Sequence, residues 1–243
     1  MSSTATIVSP TANSFSPIHA LSRDLDLRST SDAAPAVFVV DDDIHIQQSL
    51  ELLILSQGWE PHICGSAREF LARPRRFVPS SLILAFTSTD SSGLEVQKTI
   101  TRECAEIPVI VTADYGDIPT TVQAMKTGAV DFFVKPFSDE LLLVAIRQGL
   151  VRSRAALDRG MEMRDLRNGY ASLTPREQQV MALVVSGLLN KEVGGELGIS
   201  EITVKAHRGQ VMQKMRARSF AHLVNMASRL RIKRSLTPSA VSM

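Results

Sequence analysis

The sequence predicts an α/β domain built on a doubly wound parallel sheet of five strands, followed by a separate all-α domain. Between Ala36 and about residue 151, short apolar runs alternate with amphipathic stretches; beyond Thr174 the strand signal vanishes and capped helical segments replace it. The charge changes sign as well. Residues 1–150 hold 11 Lys and Arg against 18 Asp and Glu, and residues 151–243 hold 16 against 7, so a net charge of +2 conceals an acidic front and a basic back. Such a basic excess suits a polyanionic partner, although a charge run by itself is more often a solvated face.

The first strand is VFVV, followed by the amphipathic IHIQQSLELLILSQG, the brief strand EPHIC and the helix SAREFLA. SLILAF, PVIVT and AVDFFV supply the remaining strands, each followed by a helix: GLEVQKTITREC, IPTTVQAMKTG and SDELLLVAIRQGLV. Apolar strands joined by helices are what a parallel sheet covered on both faces requires, and its ligands bind at the carboxyl ends of the strands. Residues 36–151 are therefore read as one domain. Residues 1–35, rich in Ser, Thr, Ala and Pro without a basic start or a continuous apolar stretch, read as a disordered tail rather than a secretory leader. Residues 152–171, polar, basic and interrupted by Gly160 and Gly169, read as a partly helical linker; 172–234 form the helical domain and 235–243 a C-terminal tail. The length suits two modest domains. No apolar run approaches the ~20 residues of a membrane span. The two cysteines, Cys64 and Cys104, lie in apolar-periodic stretches and are expected to be free thiols of a cytoplasmic protein.

Asp41, Asp42 and Asp43 stand at the end of the first strand, and Lys135, before Pro136 and Phe137, ends the fifth. Carboxylates and an ammonium thus converge on the mouth of the sheet, where hard oxygen ligands suit Mg²⁺. The plainer reading is that the acids cap the following helix. VVDDD, the intervening strands and PVIVTADYGDIPTTVQAMKTGAVDFFVKPF together resemble the receiver domain of FixJ/NarL-type response regulators, over about residues 36–150.

That resemblance implies a receiver-like, flavodoxin-like fold. In it a phosphoryl group passes to an aspartate ending the third strand, an acidic pair holds Mg²⁺, and a hydroxyl residue and a lysine bind the phosphoryl oxygens. On this pattern Asp41 and Asp42 match the acidic pair, Lys135 the lysine and Phe132 the aromatic switch position. The acceptor fails. Aligning Asp90 and Gly93 with the family's loop places Ala85 there, and a methyl group cannot take a phosphate. Counting back from Gly116 and Asp117 puts Ala113 at the hydroxyl position, with Thr112 there instead if the count shifts by one. The reading is a degenerate receiver with no catalytic residue, Mg²⁺ bound weakly at most, and Lys135 paired with Asp41 or Asp42. Asp90 is a poorly positioned substitute acceptor. An enzyme reading, in which Asp41 opens a haloacid-dehalogenase-type site with Thr112 and Lys135, lacks the later acidic pair such sites need, since only Asp139 and Glu140 follow, at a helix start.

In the second domain Thr174, Pro175 and Glu177 form a capping box with proline at the first helical position. Leu188 to Leu197 reads as a helix, Gly198 permits a tight turn, and Ser200 caps the helix Glu201 to Met215. The segment LTPREQQVMALVVSGLLNKEVGGELGISEITVKAHRGQVMQKMRARS resembles the LuxR-type helix-turn-helix over about residues 172–230. It implies binding to double-stranded DNA as a homodimer. At about 100° per residue, Val204, Val211 and Met215 share the inward face, while Ile202, Lys205, Ala206, Gly209 and Gln210 turn outward. Lys205, Ala206 and Gly209 match base-facing positions of the family; Ala206 and Gly209, being small, would permit close backbone approach. Lys191, Thr203, His207, Arg208, Lys214, Arg216 and Arg218 are the candidate phosphate contacts, with His207 equally suited to a packed or capping role. The helix bearing Thr121, Val122 and Met125, with the strand holding Phe132, matches the family's receiver dimer face. The chain is thus read as a transcription regulator controlled without aspartate phosphorylation. The alternatives are a conventional regulator phosphorylated at Asp90, or an adaptor whose helices dock another regulator or RNA polymerase.

Overall fold

The computed structural model describes residues 33–74, 76–86 and 92–232. Most of the expected N-terminal tail, Asp90 and the expected C-terminal tail lie outside the described residues. The chain divides into two compact units: one runs to Thr101 and from Pro108 to Val151, the other comprises Arg102–Ile107 and the chain from Arg152 onward.

In the first unit, strands β1 (Ala36–Val40), β2 (Glu60–Cys64), β3 (Ser80–Phe86), β4 (Val109–Ala113) and β5 (Phe132–Val134) form one parallel sheet in the order β2-β1-β3-β4-β5. The helices between them are α1 (Ile44–Ser56), α2 (Ala67–Ala72), α3 (Ser92–Glu103) and α4 (Ile118–Lys126), and α5 (Asp139–Ala171) follows β5. This is a doubly wound order whose winding reverses between β1 and β3, which opens a crevice at their carboxyl ends. On one face of the sheet Val37, Val39, Ile83 and Ile110 meet Leu50 and Ile54 of α1 and Leu142, Ile146 and Leu150 of α5. Each such side chain stabilises the fold by about 1.5–3 kcal/mol on burial. Helices cover the central strands on both faces, which is why their sequences read as unbroken apolar runs. Asp43 caps α1 by accepting from the His45 and Ile46 N–H groups (2.8 and 3.4 Å), and Asp117 caps α4 through the Thr120 N–H (2.7 Å). Both cysteines are buried and outside any disulfide, and burial pushes the Cys64 thiol pKa up.

The second unit contains α6 (Pro175–Val185), α7 (Asn190–Leu197), α8 (Glu201–Lys214) and α9 (Phe220–Arg229). The capping box forms as its residues require: Thr174 Oγ1 accepts from the Glu177 N–H (3.3 Å), and Glu177 Oε2 accepts from the Thr174 N–H (2.7 Å). Gly198 ends α7 in the left-handed region (φ 65°), and Ser200 then caps α8 by accepting from the Thr203 N–H at 3.1 Å. A side chain at Gly194 would meet the Ile199 carbonyl at 2.7 Å, so only glycine lets the turn fold back so closely on α7.

Residues 152–171 differ from the expected interrupted linker: α5 runs through both glycines to Ala171. Each glycine costs the helix about 1 kcal/mol relative to alanine, but the stretch contains no proline. Leu166, with Tyr170 against it, packs with Met215, Leu223 and Met226 in the core of the second unit. At Gly169 an added side chain would stand in ordinary contact with the Lys214 carbonyl at 3.5 Å, so this position lies against the end of α8 and does not break the helix.

Candidate functional site

Strand pairing aligns the groups at the sheet mouth. Val40 pairs with Leu84 and Ala85 with Thr112, so Asp41, one residue beyond β1, falls in the same row as Ala85 and Thr112. Of the two residues that sequence counting leaves open, Thr112 is therefore the one level with Ala85. Ala113 pairs with Phe86 and, one residue on, belongs to the opposite face of the sheet.

Asp41 is buried. One of its carboxylate oxygens accepts from the Asp43 N–H (3.0 Å) and the other from Lys135 Nζ (2.9 Å). Lys135 Nζ lies 3.3 Å from Asp114 Oδ1 as well, on the connection between β4 and α4. Burial pushes the Lys135 ammonium pKa down, but the hydrogen bond and charge of Asp41, joined by Asp114, outweigh it and hold the pKa above the ordinary lysine value. The three consecutive acids thus divide their roles. Asp41 holds the lysine, Asp42 is exposed, and Asp43 caps α1, its carboxyl held below the usual range chiefly by the His45 N–H. Opposite Ala85, Thr112 is 1% exposed, and its hydroxyl has no hydrogen-bond partner among the described residues. An unpaired buried hydroxyl costs about 1–3 kcal/mol.

A Mg²⁺ ion at this mouth would have to share Asp41 with Lys135 and the Asp43 N–H, with the exposed Asp42 beside it and no side-chain oxygen from Ala85. Phe132 is half-buried, edge-on to Phe86 at 6.4 Å. Val122 and Met125 on α4 are 44% and 43% exposed, with Thr121 half-buried beside them.

On α8, Val204, Val211 and Met215 are buried, and the residues expected to face outward do so: Ile202, Lys205, Ala206, Gly209 and Gln210 are all exposed. Lys205 forms an i,i+4 pair with Glu201 at 3.1 Å. Two of the candidate phosphate contacts are committed within the domain. Lys214 Nζ lies 2.7 and 3.0 Å from the Glu177 carboxylate, and Arg208 donates to Asn190 Oδ1 (3.2 Å) while its guanidinium lies 4.6 Å from the centre of the Phe220 ring. Lys214 and the Thr174 N–H hold the Glu177 carboxyl below its usual pKa. Lys191, Thr203, Arg216 and Arg218 are exposed, Thr203 being hydrogen-bonded to the Ser200 hydroxyl, and His207 is half-buried. No local signal announces the Lys214–Glu177 or Arg208–Asn190 pairs, because each joins residues on different helices.

Residues 37–147 match the response regulator receiver domain family, and residues 171–227 match the bacterial regulatory proteins of the luxR family. Nodulation protein W of Bradyrhizobium diazoefficiens is 46% identical over 201 residues, covering 83% of this chain and 88% of that protein. Response regulator protein TodT of Pseudomonas putida is 40% identical over 205 residues, 84% of this chain and 90% of its own length. Transcriptional regulatory protein FixJ of Rhizobium meliloti is 38% identical over 194 residues, 79% and 94% of the two chains. The solved structure of response regulator StyR superimposes with a TM-score of 0.71 at 42% identity, covering 81% of this chain and 100% of that one.

Proposed function

Because the chain belongs to the response regulators that join a receiver domain to a luxR-family DNA-binding domain, we propose that it regulates transcription without phosphoryl transfer at the end of β3. The observation that carries this reading is the row Asp41, Ala85, Thr112. Where the chemistry needs a carboxylate nucleophile there is a methyl group, and the neighbouring hydroxyl has no hydrogen-bond partner among the described residues. Lys135, the group suited to a phosphoryl oxygen, is held instead by Asp41 and Asp114, an internal arrangement that competes with Mg²⁺ for the acids.

The DNA contacts belong to the same proposal. Lys205, Ala206, Gly209 and Gln210 face the bases, and Lys191, Thr203, His207, Arg216 and Arg218 lie toward the phosphates, with Arg208 and Lys214 bracing the domain from within. Helix-turn-helix regulators read half-sites about one DNA turn apart as two-fold dimers, so the active species is a homodimer acting in the cytoplasm. The exposed Val122 and Met125 and the fourth helix of the DNA-binding domain, α9, are its candidate contact surfaces, and RNA polymerase is a candidate further partner.

The test is intact-mass analysis after treatment with acetyl phosphate. The proposal expects no species heavier by one phosphate in the unaltered protein and partial phosphorylation of Ala85→Asp. A stable acyl phosphate mapped to Asp90 would overturn it.

A further inference from the structure

The outward face of α8 is unusual in what it offers a base edge. Ala206 presents a methyl and Gly209 a hydrogen, and the charge of Lys205 is shared with Glu201. The one large apolar group on that face is Ile202, in the first turn of the helix and 80% exposed. In projection at about 100° per residue, Ile202 lies about 40° from Ala206 and about 20° from Gly209, and opposite Val204 and Val211. It therefore sits at the middle of the stripe that meets the groove, not at its margin. A scattered exposed isoleucine needs no explanation on most surfaces. Here the position is specific: recognition helices contact bases with their N-terminal residues, and the small residues one and two turns farther on remove the bulk that would hold the first turn away.

Resting on the DNA-binding reading, we propose that Ile202 is a specificity-determining residue that selects thymine through apolar contact with its C5-methyl group in the major groove. The chemistry leaves few alternatives at the base edge. Ile202 has no donor or acceptor, so against the amino group of adenine or cytosine it would strand a polar group without a partner, whereas the thymine methyl is the apolar feature that the major groove displays. Lys205, three residues on, supplies the hydrogen-bonding half of the same readout.

The test uses full-length protein and duplexes enriched by that protein from a random-sequence pool. Each thymine of an enriched duplex is replaced in turn by deoxyuridine, which removes only the methyl group. Affinities are then measured for the unaltered protein, Ile202→Ala and Ile202→Val. Burial of one methyl corresponds to about a fourfold change in affinity. The unaltered protein should lose about fourfold at one thymine in each half-site, Ile202→Val should keep most of that sensitivity, and Ile202→Ala should bind thymine and deoxyuridine duplexes alike. Because Ile202 is exposed, the variants should keep the parent's unfolding temperature. Equal thymine-to-deoxyuridine losses in the parent and Ile202→Ala, or no loss at any position, overturn the assignment while leaving DNA binding intact. Failure to enrich any duplex overturns the DNA-binding reading itself.

Discussion

A single added methyl at Gly209 should move stability and DNA affinity in opposite directions. Gly209 lies inside α8 with ordinary helical backbone, and a side-chain carbon built there meets no atom within 4 Å. Gly209→Ala therefore introduces no clash and removes backbone freedom from the unfolded chain, a gain of about 0.4–1 kcal/mol. For a domain of this size, 1 kcal/mol raises the unfolding midpoint by about 4–8 °C, so a rise of several degrees is expected in thermal unfolding followed by circular dichroism. If the bare backbone at this position allows α8 to approach base edges, the same methyl is overpacked in the complex. Overpacking costs about 1–3 kcal/mol, which is a weakening of roughly fivefold to 150-fold. Fluorescence anisotropy with an enriched duplex reads that effect. Unchanged or tighter binding by Gly209→Ala would refute the close-approach argument, and a fall in stability would refute the account of its surroundings.

Thr112→Val replaces a buried hydroxyl that has no partner among the described residues by a methyl of similar shape, so urea unfolding should show a neutral or slightly stabilising effect; a loss above about 1 kcal/mol would reveal a partner for that hydroxyl. Glu177→Gln removes the charge that Lys214 and the Thr174 N–H share, with an expected loss of about 1–2 kcal/mol at neutral pH. The Glu177 pKa is depressed in the folded state, so its contribution is complete above the ordinary glutamate value of about 4.3 and fades as pH falls through the lower folded value. The gap between parent and variant should close below about pH 4, and a gap that widens in acid would contradict the sign. Lys205→Ala should weaken binding and relax base preference, whereas Arg216→Ala should weaken all sequences alike and lower the salt slope by about one unit. Competition titrations over a range of salt separate the two effects, and an equal loss on every sequence for Lys205→Ala would remove it from the base-reading set.

Much of this architecture is written locally. The apolar runs of β1, β3 and β4 betray a sheet covered on both faces, and Thr174, Glu177, Gly198 and Ser200 each mark a helix end through bonds to residues no more than five positions away. What local pattern leaves undecided depends on partners distant in the chain. Thr112 and Ala113 differ in strand register, Thr112 pairing with Ala85 and Ala113 with Phe86, a distinction that residue counting along the chain does not contain. Gly160 and Gly169 look like breaks, yet α5 runs through both, and Leu166 and Tyr170 on either side of the second pack in the core of the second unit. The role of Asp114 as a second partner of Lys135 emerges only when the two strand ends are brought together. Lys214 and Arg208 count as free cations in a charge tally, but the folded domain pairs the first with Glu177 and engages the second with Asn190 and Phe220.

The central claim, regulation by a receiver that does not pass through an acyl phosphate, is tested most directly by DNA-binding isotherms of the full-length protein on an enriched duplex. These are recorded with and without prior exposure to acetyl phosphate and Mg²⁺, beside Ala85→Asp treated in the same way. The two curves of the unaltered protein should superimpose, while those of Ala85→Asp separate. A donor-dependent shift in the affinity of the unaltered protein, accompanied by a gain of one phosphate in mass, would contradict it.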